Sequence, residues 1–159
     1  MTKENYMYLT RKKLGLYHSQ NANYVFKVKD IVFVVMNGVK EYFPAPNGYF
    51  RKDELLWLDK QLAKYKDKKV VILEHFPLLD TNLLSHNLWK KENYIEILNK
   101  HNNVIAIVSG YYHKNYEIQK DGIYHILTKN FQNNRYYKII QIDTTDGFIS
   151  TSLIDNSLQ

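Results

Sequence analysis

Cysteine is absent from the 159 residues. That excludes a disulfide scaffold, a Cys-ligated zinc site and a thiol nucleophile. Glycine and proline are sparse, at 6 and 3, which excludes collagen-like and linker-rich chains. Long apolar runs are missing too. The longest, Ile31 to Met36, is strand-sized and far short of the roughly 20 residues that cross a bilayer. The N-terminus (MTKENY) has neither the basic start nor the apolar middle of a signal peptide, so the chain is expected to be soluble, cytoplasmic and without a membrane partner. What is present is a globular composition, 45% hydrophobic and 24% charged. A single domain over residues 1–159 is expected, with residues 1–22 as an irregular lead-in, because a chain this long can bury a sizeable core.

The net charge is +6, from 22 Lys+Arg against 16 Asp+Glu. The basic residues are scattered in pairs, such as Lys12-Lys13, Lys68-Lys69 and Lys90-Lys91, with no run of five. This is the pattern of a solvated basic surface, and nucleic acid is not the expected partner.

From Asn23 the pattern becomes regular. Tyr24 to Asp30 alternates apolar and polar residues, and Ile31 to Met36 is continuously apolar, so a hairpin turning at Lys29-Asp30 is expected. Residues 37–50 read as a loop. Over 51–65, Leu55, Leu58, Leu62 and Tyr65 recur at helical spacing, with Asp53 and Glu54 in the first turn. A buried strand over Lys69 to Leu73 runs into Glu74, His75, Phe76 and Pro77. A loop over 78–88 leads to a second helix over about 89–100, with Tyr94, Ile97 and Leu98 on its apolar side. Val104 to Val108 is another strand, running into Gly110 and His113. The remainder alternates in hairpins with Asp-Gly at 121–122 and 146–147. Strand–helix–strand units flanked by hairpins imply an α/β fold with a mixed sheet, and in such sheets function gathers at the carboxyl ends of the strands.

Two of those ends carry a histidine, His75 and His113, suited to hold a metal. The other four take structural readings. His101 ends a helix, His125 lies in a hairpin strand, and His18 and His86 are given no site role.

Residues 70–80 (VVILEHFPLLD) resemble the strand and His-x-Pro segment of calcineurin-like metallophosphoesterases. Residues 104–115 (VIAIVSGYYHKN) resemble that family's strand and Gly-His-x-His turn. Residues 55–62 (LLWLDKQL) and 121–128 (DGIYHILT) are similar to its connecting helix and final hairpin. The resemblance covers about residues 23–143, in the family's order. It implies part of an α/β/β/α sandwich and hydrolysis of phosphate mono- or diesters at a dinuclear centre of Mn, Fe or Zn, where a metal-bound hydroxide attacks phosphorus. His75 matches the ligand of His-x-Pro and His113 the second histidine of Gly-His-x-His. Tyr111 stands at the first, a substituted ligand position, since a neutral phenol is a poor ligand beside imidazole. The family's amino-terminal Asp-x-His, Gly-Asp-x-x-Asp and Gly-Asn-His motifs are not found, and residues 1–29 contain no aspartate. The expectation is a C-terminal portion with a partial site, inactive or impaired alone, and no catalytic residue is named. The strand Ile31 to Met36 is expected to expose an apolar sheet edge that an N-terminal segment or a second copy would cover. The alternative is a non-catalytic interaction module of the same fold.

Overall fold

Residues 22–39, 47–79, 88–129 and 135–156 are described by a computed structural model. His18, His86, residues 1–21 of the lead-in and parts of the loops expected over 37–50 and 78–88 lie outside the described residues. The expected first hairpin forms from β1 (Tyr24–Val28) and β2 (Ile31–Met36), with Val28 opposite Ile31. Lys29 takes a left-handed φ of 52° in the turn. The chain continues through β3 (Gly48–Tyr49), α1 (Lys52–Lys64), β4 (Lys69–Glu74), β5 (Leu88–Trp89), α2 (Glu92–Lys100) and β6 (Val104–Ser109). It ends with two further antiparallel hairpins, β7 (Tyr116–Lys120) with β8 (Ile123–Leu127) and β9 (Tyr136–Ile142) with β10 (Ile149–Asp155).

Six strands make one sheet in the order β1-β2-β4-β6-β8-β7. The inner four are parallel, and β1 and β7 flank them antiparallel. β2, β4 and β6 are almost wholly apolar because both their faces are covered. Ile31–Met36 is therefore internal and not the sheet edge that was expected. Its own hairpin partner, β1, satisfies its outer hydrogen-bonding side and becomes the outermost strand.

Both described helices cover one face. Leu55, Leu58 and Leu62 of α1 and Tyr94, Ile97 and Leu98 of α2 pack with Val32, Val34, Val70, Ile72 and Ile107. The start of α1 is closed by Arg51 N–H donating to Glu54 Oε2 at 2.8 Å, which satisfies a backbone donor that the helix leaves open. Its last carbonyls, Leu62 O and Tyr65 O, accept from Asn103 Nδ2 at 3.0 and 2.8 Å. α2 starts three residues later than its periodicity predicts. Leu88 and Trp89 pair in parallel with Gly48 and Tyr49, and Lys90 is left-handed at φ 52°, so the backbone cannot be helical before Lys91.

The opposite face buries Ile31, Val71 and Ala106 beneath the β9–β10 hairpin, which contributes Ile142 and Ile149. Lys69 Nζ pins the hairpin's loop by donating to Thr144 O at 3.2 Å and Thr145 O at 2.6 Å. Further along, the buried Lys138 ammonium reaches across to Glu117 on β7. The Asp-Gly signal at 121–122 marks a two-residue turn with both φ angles positive, 52° and 78°, as a type I′ turn requires. The second Asp-Gly sits in a longer loop, with Ile142 opposite Ile149 and Gly147 N–H donating to Asp143 O at 2.9 Å. Helices, six-stranded sheet and two-stranded hairpin give three layers among the described residues. None of the described helices is long and apolar enough to cross a membrane.

Candidate functional site at the ends of two parallel strands

β4 and β6 are parallel neighbours, so their carboxyl ends open side by side, and the residues after them form a common rim. Gly110 N–H donates to His75 O at 3.2 Å. A Cβ on Gly110 would begin 3.8 Å from His75 Nδ1, an ordinary contact distance, so the backbone bond and not the lack of a side chain ties the two segments together. Tyr112 N–H then bonds back to Gly110 O at 2.7 Å with Tyr111 at φ 59°. That is a three-residue turn of the rare positive-φ kind. His113 is left-handed as well, at φ 52°. Two non-glycine residues in that region within three positions amount to stored backbone strain, which folds retain mostly at ligand-facing sites.

This geometry brings the two predicted histidines within electrostatic reach. Partial burial of the His75 ring, followed by the charge of His113, holds the His75 pKa below the usual imidazole value. His75 is therefore a neutral imidazole at pH 7, with a ring nitrogen lone pair able to accept a proton or bind a metal. Tyr111 has a role that no sequence signal announces. Its ring lies 4.9 Å from the His75 ring at 67° and 4.5 Å from the Phe76 ring, and it packs against the helix-side core. Position 111, expected as a substituted ligand position, carries a packing group, and the rim is an aromatic cluster of His75, Phe76 and Tyr111.

Beneath the rim lies a second group that the sequence reading passes over. Glu74, the last residue of β4, is only 8% exposed. Burial raises its pKa to about 8, and a single bond from Tyr94 OH to Oε2, at 2.9 Å, opposes that rise. Its other oxygen, Oε1, has no hydrogen-bond partner among the described residues. Strand parity could have found it, because position 74 falls on the same face as Val70 and Ile72, which pack under the helices. The histidines given structural readings behave so where they are described. His101 Nε2 lies 2.7 Å from Asp59 Oδ1, joining the end of α2 to α1. His125 is buried in β8, and burial, then the Lys120 charge, lowers its pKa.

The donor set does not fit a pair of hard cations. Among the described residues the rim assembles two imidazoles and no carboxylate, since the Glu74 carboxyl is engaged by Tyr94 of the helical layer. Among the described residues no group of three or more His, Cys, Asp or Glu is placed to hold a metal ion. Cations that prefer oxygen need carboxylates to neutralise and bridge them, so no catalytic step through a metal follows from these residues.

No family model matches the chain. It is 31% identical over 71 residues to the probable glycerophosphodiester phosphodiesterase GpdQ of Arcobacter nitrofigilis, a match covering 42% of this chain and 26% of that protein. It is 29% identical over 82 residues to the manganese-dependent ADP-ribose/CDP-alcohol diphosphatase of Danio rerio, covering 48% of this chain and 24% of that protein. The chain thus spans about a quarter of the length of these curated relatives. Among solved structures, a dimetal phosphatase from Danio rerio superposes with a TM-score of 0.59 at 16% identity, over 84% of this chain and 55% of that one. The TT1561 protein of Thermus thermophilus superposes with a TM-score of 0.51 at 12% identity, over 94% and 67%. Sequence matches and superpositions together show that the chain carries part of the calcineurin-like metallophosphoesterase fold.

Proposed function

We propose that this chain is the C-terminal portion of a metal-dependent phosphoesterase, and that His75 and His113 are its share of a metal site completed by carboxylates from elsewhere. The observation that carries this reading is the pairing of two imidazoles at neighbouring strand ends. The relatives' names point to phosphodiesters or diphosphates as the substrate class and to manganese among the divalent cations. Alone, the chain is inactive or strongly impaired, because two imidazoles without carboxylates leave the cations' charge uncompensated.

The test is hydrolysis of bis(p-nitrophenyl) phosphate with Mn²⁺, Fe²⁺ or Zn²⁺. The chain alone is expected to match the metal-only background. A version extended by any in-frame upstream sequence carrying Asp-x-His and Gly-Asp-x-x-Asp is expected to turn over, and His113→Ala should abolish that turnover. Metal-dependent activity of the 159-residue chain itself, lost on His113→Ala, would overturn the partial-site reading. The packing of Tyr111 against Phe76 and His75 favours a second reading, a non-catalytic module. It is supported if the extended version binds no metal and stays silent.

A further inference from the structure

The six-stranded sheet ends at β7, and among the described residues no strand pairs with its outer side. The two-residue turn at Asp121-Gly122 makes Lys120 and Ile123 a hydrogen-bonded pair. The alternation of the ladder then points the main-chain groups of Tyr116, Ile118 and Lys120 at β8, and those of Glu117 and Gln119 outward. Side chains alternate along the same strand. Glu117 turns to the β9–β10 hairpin, where Lys138 matches its charge. Tyr116, Ile118 and Lys120 share the other face, with Tyr116 48% and Ile118 38% exposed. Edge strands are commonly guarded by charge. In β7 one charge is matched by Lys138, and the other, Lys120, stands at the strand's last position.

This strand is complementary to itself. A twofold axis at Ile118 sets Glu117 opposite the partner's Gln119, the outward-pointing residues, and gives about four backbone hydrogen bonds across the joint. The same axis sets Tyr116 opposite the partner's Lys120 at both ends, an ammonium against a phenol ring. At the centre the two Ile118 side chains meet in a close, non-hydrogen-bonded pair. Other registers lose this match. An axis at Glu117 would face two carboxylates, and one at Gln119 would set Ile118 opposite a lysine. The sheet's other edge lacks it too. A twofold axis at Phe26 of β1 would set Lys27 opposite the partner's Val25, and the Phe26 ring is already stacked on Phe33 at 4.8 Å. We propose that the chain forms a twofold dimer through β7, joining two six-stranded sheets into one. β7 starts at the rim end of the sheet, so antiparallel pairing puts the two rims at opposite ends of the joined sheet. Neither copy then completes the other's histidine pair, and the dimer stands apart from any hydrolysis.

Sedimentation velocity of the full chain up to about 1 mM tests it, because so short a joint is a small interface with an expected dissociation constant of about 100 µM. Ile118→Lys faces two ammoniums across the axis and should weaken the dimer about tenfold. The position is exposed, and thermal unfolding checks that the variant keeps the parent's fold. Charge reads the register. Tyr116→Lys should weaken the dimer about tenfold, whereas Tyr116→Glu, opposite the partner's Lys120, should stay within about threefold of the parent. Because the chain has no cysteine, Ile118→Cys adds a single thiol. The two copies' Cα atoms at that position would lie about 4.5 Å apart, within disulfide range. Mild oxidation with copper phenanthroline should crosslink Ile118→Cys and leave Val28→Cys, on the more exposed Val28 of β1, uncrosslinked. The proposal is overturned if Ile118→Lys dimerises like the parent, if Tyr116→Lys and Tyr116→Glu respond alike, or if Val28→Cys crosslinks as readily. A chain that stays monomeric at about 1 mM also overturns it, and leaves the edge to an extended segment of another protein.

Discussion

Glu74 and Glu117 are both carboxylates held against the six-stranded sheet, one on the side covered by the helices and the other near the β9–β10 hairpin. Burial pushes both upward in pKa. At Glu74 it prevails, because one phenol is the sole donor the described residues supply, and the carboxyl is neutral at pH 7. At Glu117 it is outweighed. Lys138 Nζ and Thr151 Oγ1 donate to Oε1, Tyr124 OH lies 3.4 Å from Oε2, and the Lys138 charge adds to them, leaving the group below its ordinary value. The Lys138 side chain is itself only 1% exposed and also donates to Leu127 O at 3.2 Å. Deep burial with a single donor leaves Glu74 neutral, whereas shallower burial with several donors lets Glu117 keep its charge.

That contrast can be broken most forcefully with pH. Glu74 has a folded pKa above its ordinary 4.5, so folding favours the proton. The stability this contributes is complete below pH 4.5 and is lost as pH rises to about 8. The gap corresponds to roughly 5 kcal/mol in denaturant unfolding compared between the two ends of the window. Glu74→Gln, which cannot ionise, should flatten most of that decline, and an undiminished decline would show that the carboxyl is not the group responsible. Glu117 runs the other way, its contribution being present above pH 4.5 and lost as pH falls through its lowered folded value. Glu117→Gln at pH 7 should cost about 3 kcal/mol, since it leaves Lys138 buried without a counter-charge. The double change Glu117→Leu with Lys138→Met should cost far less than that, and equal losses from the single and double variants would refute the ion-pair account. The smallest effect is expected from Tyr94→Phe. It removes the donor to Glu74 and should cost about 1 kcal/mol, while moving the midpoint of the pH-dependent decline further upward.

Much of this fold was legible because its signals are local. The leucine spacing of α1 placed that helix to within a residue at each end, and the apolar runs of β2, β4 and β6 marked the parallel core. α2 was misplaced at its start for a physical reason. The two-residue pairing of Leu88-Trp89 with Gly48-Tyr49 joins segments 40 residues apart, and nothing in a lysine announces the left-handed backbone of Lys90. The rim was half legible. His75 and His113 could be set at strand ends by counting, and their neighbouring strands brought them together. The role of Tyr111 depends on where Phe76 lies, which only tertiary packing decides. Glu74 was within reach of parity counting and was overlooked because a charged residue at the end of an apolar strand reads as its boundary.

The turn at Gly110–Tyr112 has one further consequence. Its curvature is written into main-chain torsions and one amide-to-carbonyl bond, not into the groups displayed at its tips. The main chain alone thus sets the contour of this loop, and the Tyr111 ring that it carries is committed to the packing of His75 and Phe76.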